Sequence, residues 1–537
     1  MKKNWILGIM CLATYTAAAQ ETYENAQLAT EDLNGTARYI GMGGAMEALG
    51  ADISTMSTNP AGIGLFRKSW AGVSGGVTFQ KGTGEYNPSV LNSVGSFKDN
   101  VTNADLNQLG FVYSTQCGQQ SWFNLGLNYH KSRNFNMISN ALNTLDGLSS
   151  VNYMTAARKD MTAARLDDYD EASMMDELNL LVINNYLSTF VTEGEETYYD
   201  QIGYRSADAY FGTNKNKGYI SEFDVNFSGN FNNRVFLGLS IGLKDVHYNG
   251  TTFYDEHLVD ANGNDGGEYS FADYREITGT GLNIKFGIIF RPVEESPFRI
   301  GAYIHTPTWY DLDCYMGMDA RAAFSYQNND YDNSANVSWD YKYKMTTPWK
   351  FGLSLGHTIN NMVALGATYE YADYSSIRNK IVFDQDHTIY DRDYDMDRNT
   401  KDCLRGVSTV KLGVEVKPVP EVALRMGYNY VSPMYKTDGS KDIYISTDEY
   451  YGSNGAYAST YDYTNWKATH RVTFGIGFAL TKNLNLDMSY QYSTQKGDYH
   501  PFQNLYDSYS GEALNIGTPT RIKNDRHQIN ATIGYRF

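Results

Sequence analysis

A two-residue hydropathy period, returning in segments of about ten residues, limits what this chain can fold into more than any other feature. Between residues 222 and 231, Phe223, Val225, Phe227 and Phe231 fall on one side, and Glu222, Asp224, Asn226, Ser228 and Asn230 on the other. Successive strand side chains point to opposite faces, so such a segment has one apolar and one polar face. Asn232 and Asn233 read as a tight turn into Val235, Leu237, Leu239, Ile241 and Leu243, again at every second position. The same period runs through 282–290, 298–304, 422–430, 472–480 and 484–492, and it closes the chain at 529–537 on Phe537.

The connections between these segments alternate in length. Short turns are expected near 116–121, 232–233, 292–297, 359–361, 418–420 and 481–483. Long polar loops are expected near 81–108, 136–218, 249–277, 310–336, 375–405, 433–468 and 496–525. Short turns on one side and long loops on the other are the habit of a transmembrane β-barrel. A secreted sandwich or propeller array explains the alternation but not this asymmetry, nor a last strand ending on Phe. Such an ending is the usual signal for barrel-assembly machinery, so Phe537 is expected to engage it. A plain count gives about fifteen strands, which would put the termini on opposite sides. Treating 337–357 as one strand with a wall kink at Pro348 gives about fourteen and brings every short turn to one side.

Composition agrees with a barrel. Tyr (45) and Gly (49) are abundant and Pro (11) is scarce; Tyr suits the two interfacial girdles and Gly a curved sheet. The mean hydropathy of −0.47 does not argue against a membrane protein, because alternating strands never average as hydrophobic. A net charge of −17 excludes nucleic acid as partner, which needs a basic face. Residues 1–19 read as a signal peptide: Lys2 and Lys3, an apolar stretch from Trp5, then Ala17–Ala18–Ala19 as a small-residue cleavage site. Met10 before Cys11 argues against a lipid anchor. Cys117, Cys314 and Cys403 are scattered and form neither a disulfide framework nor a metal motif.

Residues 20–68 do not alternate. They hold a Gly/Ala-rich stretch with Gly43, Gly44 and Ala45, then Asp52, then Asn59-Pro60-Ala61-Gly62. The segment is too short for a core of its own; ahead of a barrel spanning 69–537 it is best placed in the lumen as a plug. In these residues the chain resembles the N-terminal hatch of FadL-type outer-membrane transporters, and 411–416, 423–430 and 469–478 resemble paired strands of that family. The resemblance implies a fourteen-stranded barrel carrying long-chain fatty acids or other hydrophobic molecules in the bacterial outer membrane. Outer loops would capture the cargo, the hatch would rearrange, and release would be lateral, through the wall. Asn59 and Pro60 are then either a preset turn holding the plug to the wall or an ordinary turn before the barrel. The glycines at 41, 43 and 44 are either a hinge or sites of close packing.

Loop 136–218 contains Met174, Met175, Leu178 and Leu181 at near-helical spacing, which fits either a capture groove or a helix over the mouth. Arg425 and Lys411 are expected to face the lumen, where they can meet a ligand carboxylate or pair with Glu421 or Glu415. The nine histidines form no axial-ligand motif, Gly41-Met-Gly-Gly lacks a nucleotide-loop context, and the Asp391–Asp397 run lacks the Gly and Glu of a calcium loop. No cofactor, metal or enzymatic activity is therefore expected. The partners expected are a hydrophobic small molecule, membrane lipid and lipopolysaccharide, with the protein a monomer. Two alternatives stay open: a recognition or adhesion barrel acting through acidic outer loops, and a porin for polar solutes.

Overall fold

The computed structural model describes residues 21–84, 100–145, 188–193, 196–201, 206–259, 264–326, 329–360, 362–382, 390–441, 460, 462–502, 504–506, 513–515 and 517–537. Its frame is a ring of fourteen antiparallel strands. They are β1 (Trp70–Gly84), β2 (Asn100–Gly118), β3 (Ser121–Asn134, resuming as Met137–Thr144), β4 (Ser206–Phe231), β5 (Val235–Val259) and β6 (Asp265–Phe290). Next come β7 (Arg299–His305, resuming as Trp309–Tyr326), β8 (Asn329–Thr346, resuming as Lys350–Ile359), β9 (Val363–Asp373) and β10 (Gly406–Val419). The wall ends with β11 (Val422–Val431), β12 (Tyr463–Ala479), β13 (Leu484–His500) and β14 (Thr520–Arg536). Each strand pairs with the next, and β14 returns to β1, with Trp70 opposite Arg536 and Gly84 opposite Ile522. Closure leaves no unpaired edge around the belt, the condition for a sheet to sit in lipid.

The wall is apolar outward and polar inward along its lower part. On β6, Phe286 is 54% exposed while its neighbour Lys285 is 1% exposed. The apolar face of β4 runs from Phe223 to Phe231. Eight steps of ~3.4 Å on a strand tilted by ~40° give a band of roughly 20 Å, close to the ~25 Å of outer-membrane-type barrels. No helix of the described residues is long and apolar enough to cross a membrane.

Above the band the pattern inverts. On β5, Val246, Tyr248, Tyr254 and Leu258 point inward and are buried, while Asp245 and His247 face out. On the upper part of β7, Tyr310, Leu312, Cys314, Met316 and Met318 join one buried apolar cluster. Outside it, Asp313 pairs with Lys342 at 3.0 Å and Asp311 with Lys344 at 3.4 Å. A wall leaving lipid for water must turn its apolar side inward, and β7 and β8 do so by a change of phase. Ile304 and Trp309 both face out although they are five positions apart, an odd step; the break at 306–308 shifts the faces by one. The break at 347–349, containing Pro348, lies beside it, joined by Thr347 N–H to Thr308 O (3.1 Å) and Thr308 N–H to Thr347 Oγ1 (2.8 Å). Pro307 and Pro348 have no N–H, and in these breaks they forfeit no ladder bond.

The inversion corrects several expected loops. Residues 249–277 and 310–336 are mostly strand, since β5 runs to Val259, β6 starts at Asp265, β7 runs to Tyr326 and β8 starts at Asn329. Likewise β2 starts at Asn100, and Met137–Thr144 pairs with the upper part of β4 inside the stretch expected as loop 136–218. These segments were masked in the sequence because their outward faces are charged and their inward faces apolar, the reverse of the lower wall. The six short connections do share one rim with Trp70 and Arg536. Met174, Met175, Leu178, Leu181 and the expected signal peptide lie outside the described residues.

Candidate functional site

Residues 21–69 run down through the lumen before entering β1. At the long-loop end lies α1 (Thr22–Ala29). Tyr23 stacks on Tyr435 with ring centroids 5.1 Å apart and donates to Asn465 Oδ1 at 2.8 Å. Thr22 Oγ1 donates to Asn399 Oδ1 at 2.6 Å, on α3 (Tyr394–Cys403), which lies over the mouth. Below a linker comes α2 (Ala37–Gly41), whose cap residue Thr36 accepts from Tyr39 N–H at 3.1 Å. Asp52 ties this turn to the next by accepting from Thr36 Oγ1 (2.8 Å) and Ser54 N–H (3.0 Å).

The lower plug is seated on wall glycines. A Cβ added to Gly413 or Gly427 would collide with backbone at Met42 or Gly43, one at Gly366 with Ala45 O, and one at Gly238 with Pro60. Asn59 is fully buried; its Nδ2 donates to Glu47 O at 3.0 Å and to Ile288 O of β6 at 3.4 Å, and its Oδ1 accepts from Ala61 N–H at 3.2 Å. Pro60, Ala61 and Gly62 form the first turn of a 3-10 helix, Pro60–Leu65, where Pro at the first position loses no bond. Gly43 (φ +63°) and Gly44 (φ +80°) turn the chain where it meets β11.

A line of buried charges joins plug to wall. The register sets His130, Glu222 and Lys244 side by side on β3, β4 and β5. Lys285 donates to Glu222 (2.6 Å) and Asp224 (2.7 Å), Lys244 to Glu31 (2.6 Å), Lys350 to Glu31 (2.6 Å), and Lys411 to Glu47 (2.8 Å). Lys350 and Lys411 meet Glu370 at 3.8 and 3.7 Å. Two plug carboxylates, Glu31 and Glu47, are thereby held by wall lysines. Burial alone would push the Glu31 carboxyl up; the two ammonium groups reverse this and hold it well below the usual range. His130, Glu222 and Asp224 are the one group among the described residues with metal-ligand spacing, but the Lys285 ammonium already bridges its two carboxylates.

Between α1 and the lower plug is a cavity of about 230 Å³. Its lining is amphipathic: Phe135, Met137, Met434 and Trp466 together with Arg133, Arg471, Arg526, Lys350 and Lys411. Below it, plug backbone lies directly against the wall at Gly238, Gly366, Gly413 and Gly427.

No protein-family model matches the chain, and no curated protein matches it in sequence. Solved structures similar to it over nearly its whole length include the Ralstonia pickettii toluene transporter TbuX (12% identity, TM-score 0.44, 94% of this chain and 99% of that one). A Pseudomonas aeruginosa FadL homologue (11%, 0.49, 95% and 100%) and the CymD monoaromatic hydrocarbon channel (11%, 0.46, 95% and 99%) are also similar. In fold, this chain is similar to the FadL-type transporters.

Of the residues singled out in the sequence, Gly43, Asn59, Pro60 and Ala61 lie at the plug–wall contact, whereas Gly44 packs on Leu33 and Tyr39 and Gly62 on Thr55 and Gly50 within the plug. Pro348 lies in the wall break. Arg425 faces inward but is engaged by Glu415 (2.6 Å) and Asp487 (2.6 Å), while Glu415 also meets Arg38 of the plug at 3.1 Å. Arg425 is thus part of the plug's seat and does not line the cavity. Lys411 pairs with Glu47 and Glu370, not Glu415. Sequence reasoning missed Glu31, Glu47, Glu222, Lys244 and Lys285. For Glu222, Lys244 and Lys285 the signal was present as charges at lumen-facing positions of neighbouring strands; Glu31 and Glu47, in the non-repeating plug, carried none.

Proposed function

We propose that this chain takes small hydrophobic or amphipathic molecules across an outer membrane, with long-chain fatty acids as cargo. The observation that supports this reading is the pairing of a plug seated on wall glycines with an amphipathic cavity above it. A seated plug suits a cargo that binds and moves past it as it rearranges, and it disfavours a porin, which needs an open water path. On this reading the plug is the gate, release into lipid is lateral, and the protein acts as a monomer among lipopolysaccharide, assembled through Phe537. It is a carrier, not an enzyme.

The test is saturable uptake of a labelled long-chain fatty acid by cells expressing the wild type, a form lacking residues 21–60, and Asn59→Ala. The proposal expects uptake by the wild type that collapses in both altered forms. Absence of wild-type uptake, with polar solutes admitted only by the deletion, would sink it. That outcome would favour surface recognition, for which the charged outer face of β7 and β8 above the band offers a surface.

A further inference from the structure

Asp32, in the linker between α1 and the lower plug, lies among more positive charge than it can balance. Its carboxylate meets Arg133 Nη1 at 3.0 Å, Arg526 Nη1 at 3.5 Å and the Asn134 N–H at 3.0 Å. Arg471, on the same cavity, donates to the neutral Asn429 Oδ1 at 2.9 Å, and among the described residues no carboxylate oxygen lies within 4.0 Å of it. Lys131, which lines an adjoining cavity with Arg471 and Arg526, is taken by Asp105. Three guanidinium groups from β3, β12 and β14 therefore gather near one carboxylate, which contacts two of them. The Nε atoms of Arg133 and Arg526 are buried without a hydrogen-bond partner. Buried unpaired donors are costly, and guanidinium groups are matched in geometry to carboxylates. The same cavity offers Phe135, Met137, Val431, Met434 and Trp466 as an apolar wall.

We infer that Arg133, Arg471 and Arg526 form an anion subsite that Asp32 fills as an internal stand-in, and that the carboxylate of an amphipathic cargo displaces it. This deepens the transport reading above and rests on it. Asp32 also donates its backbone N–H to Ser132 O at 2.8 Å, so it pins the linker to β3. Losing the arginines to the cargo leaves that pin weaker, and arrival of an anion is coupled to loosening of the segment between α1 and the seated plug. Arg471 contributes most to the incoming anion because Asp32 engages it least.

The test compares octanoate with 1-octanol, which share a chain and differ in charge, by calorimetric titration of the purified full-length barrel. Heat-modifiable migration on gels first establishes that each variant is folded. Octanoate is expected to bind wild type more tightly than octanol. Arg471→Gln is expected to weaken octanoate about tenfold while leaving octanol unchanged, the loss of one charged hydrogen bond. Arg471→Lys should keep part of the octanoate affinity, and Asp32→Asn, which removes the competing anion, should raise it severalfold. Equal binding of the two ligands, or an Arg471→Gln loss shared equally by octanol, overturns the anion subsite and leaves the transport reading standing. Tighter octanoate binding that Asp32→Asn fails to improve overturns displacement. Binding of neither ligand to wild type overturns both.

Discussion

At Gly427 the wall has no room for one methyl group, since a Cβ there would meet the Gly43 amide and the Met42 carbonyl carbon. Neither obstacle can rotate away as a side chain would, because both are backbone, and Gly43 is fixed at φ +63°. Gly427→Ala is therefore expected to push the plug off β11, with a penalty of about 1–3 kcal/mol typical of overpacking. Ion conductance in planar bilayers should rise from a closed baseline to bursts of opening, while the barrel stays folded. Gly317→Ala is the control, because its Cβ would find nothing nearer than Tyr315 Oη at 3.6 Å. A Gly427→Ala barrel as silent as wild type would refute the seat. Asn59 to Gly62 could be picked out from sequence because, ahead of the first strand and behind a Gly/Ala-rich stretch, they resemble the hatch of FadL-type transporters. Glu31 and Glu47 could not, since a carboxylate in a non-repeating segment looks the same whether it meets water or a buried lysine.

Among elements, α1 depends on pH through Glu24. Arg275 meets Glu24 at 2.5 Å, Asp273 at 3.6 Å and Glu21 at 4.0 Å, and Lys441 meets Glu21 at 3.2 Å. Two cations thus face three carboxylates. Burial pushes the Glu24 carboxyl up to about 7 against the pull of Arg275. In the undocked helix it would titrate near its ordinary value, so the docked helix holds the proton more tightly. Docking is then strongest below the ordinary value, weakens as pH rises toward about 7, and changes little above. Hydrogen exchange of residues 22–29, corrected for intrinsic rates, should show less protection at pH 8 than at pH 5.5, and Glu24→Gln should remove the difference. Equal protection at both pH values in wild type would exclude the effect. Asp32 runs the other way: burial would raise it, but Arg133, Arg526 and Arg471 bring it down to about 2, so the linker stays pinned until strong acid. The strands were the most legible elements, because a two-residue period reports directly which face meets lipid. It does not report height along the barrel, so the upper strands, with their faces exchanged, looked like loops.

For the whole molecule, the height at which the faces exchange defines the belt. In β8, Leu355 projects outward within the lower wall and is 49% exposed, whereas Tyr315 of β7 projects outward above the exchange and is 45% exposed. Exposure cannot tell these two residues apart; the surrounding phase does. Leu355 is flanked on its own strand by the outward Phe351 and Leu353, while Tyr315 stands near the Asp313–Lys342 pair. Arginine in place of Leu355 would enter hydrocarbon and cost about 2–4 kcal/mol, whereas Arg in place of Tyr315 would enter water and cost roughly 0–1 kcal/mol. Reversible unfolding from lipid vesicles measures both. Similar costs for the two would mean that the belt does not end where the faces exchange. Unequal costs in the expected direction would put β5 to β8 above the lipid as a water-exposed collar around an apolar core, and the cavity beneath α1 would then be reached only through that collar.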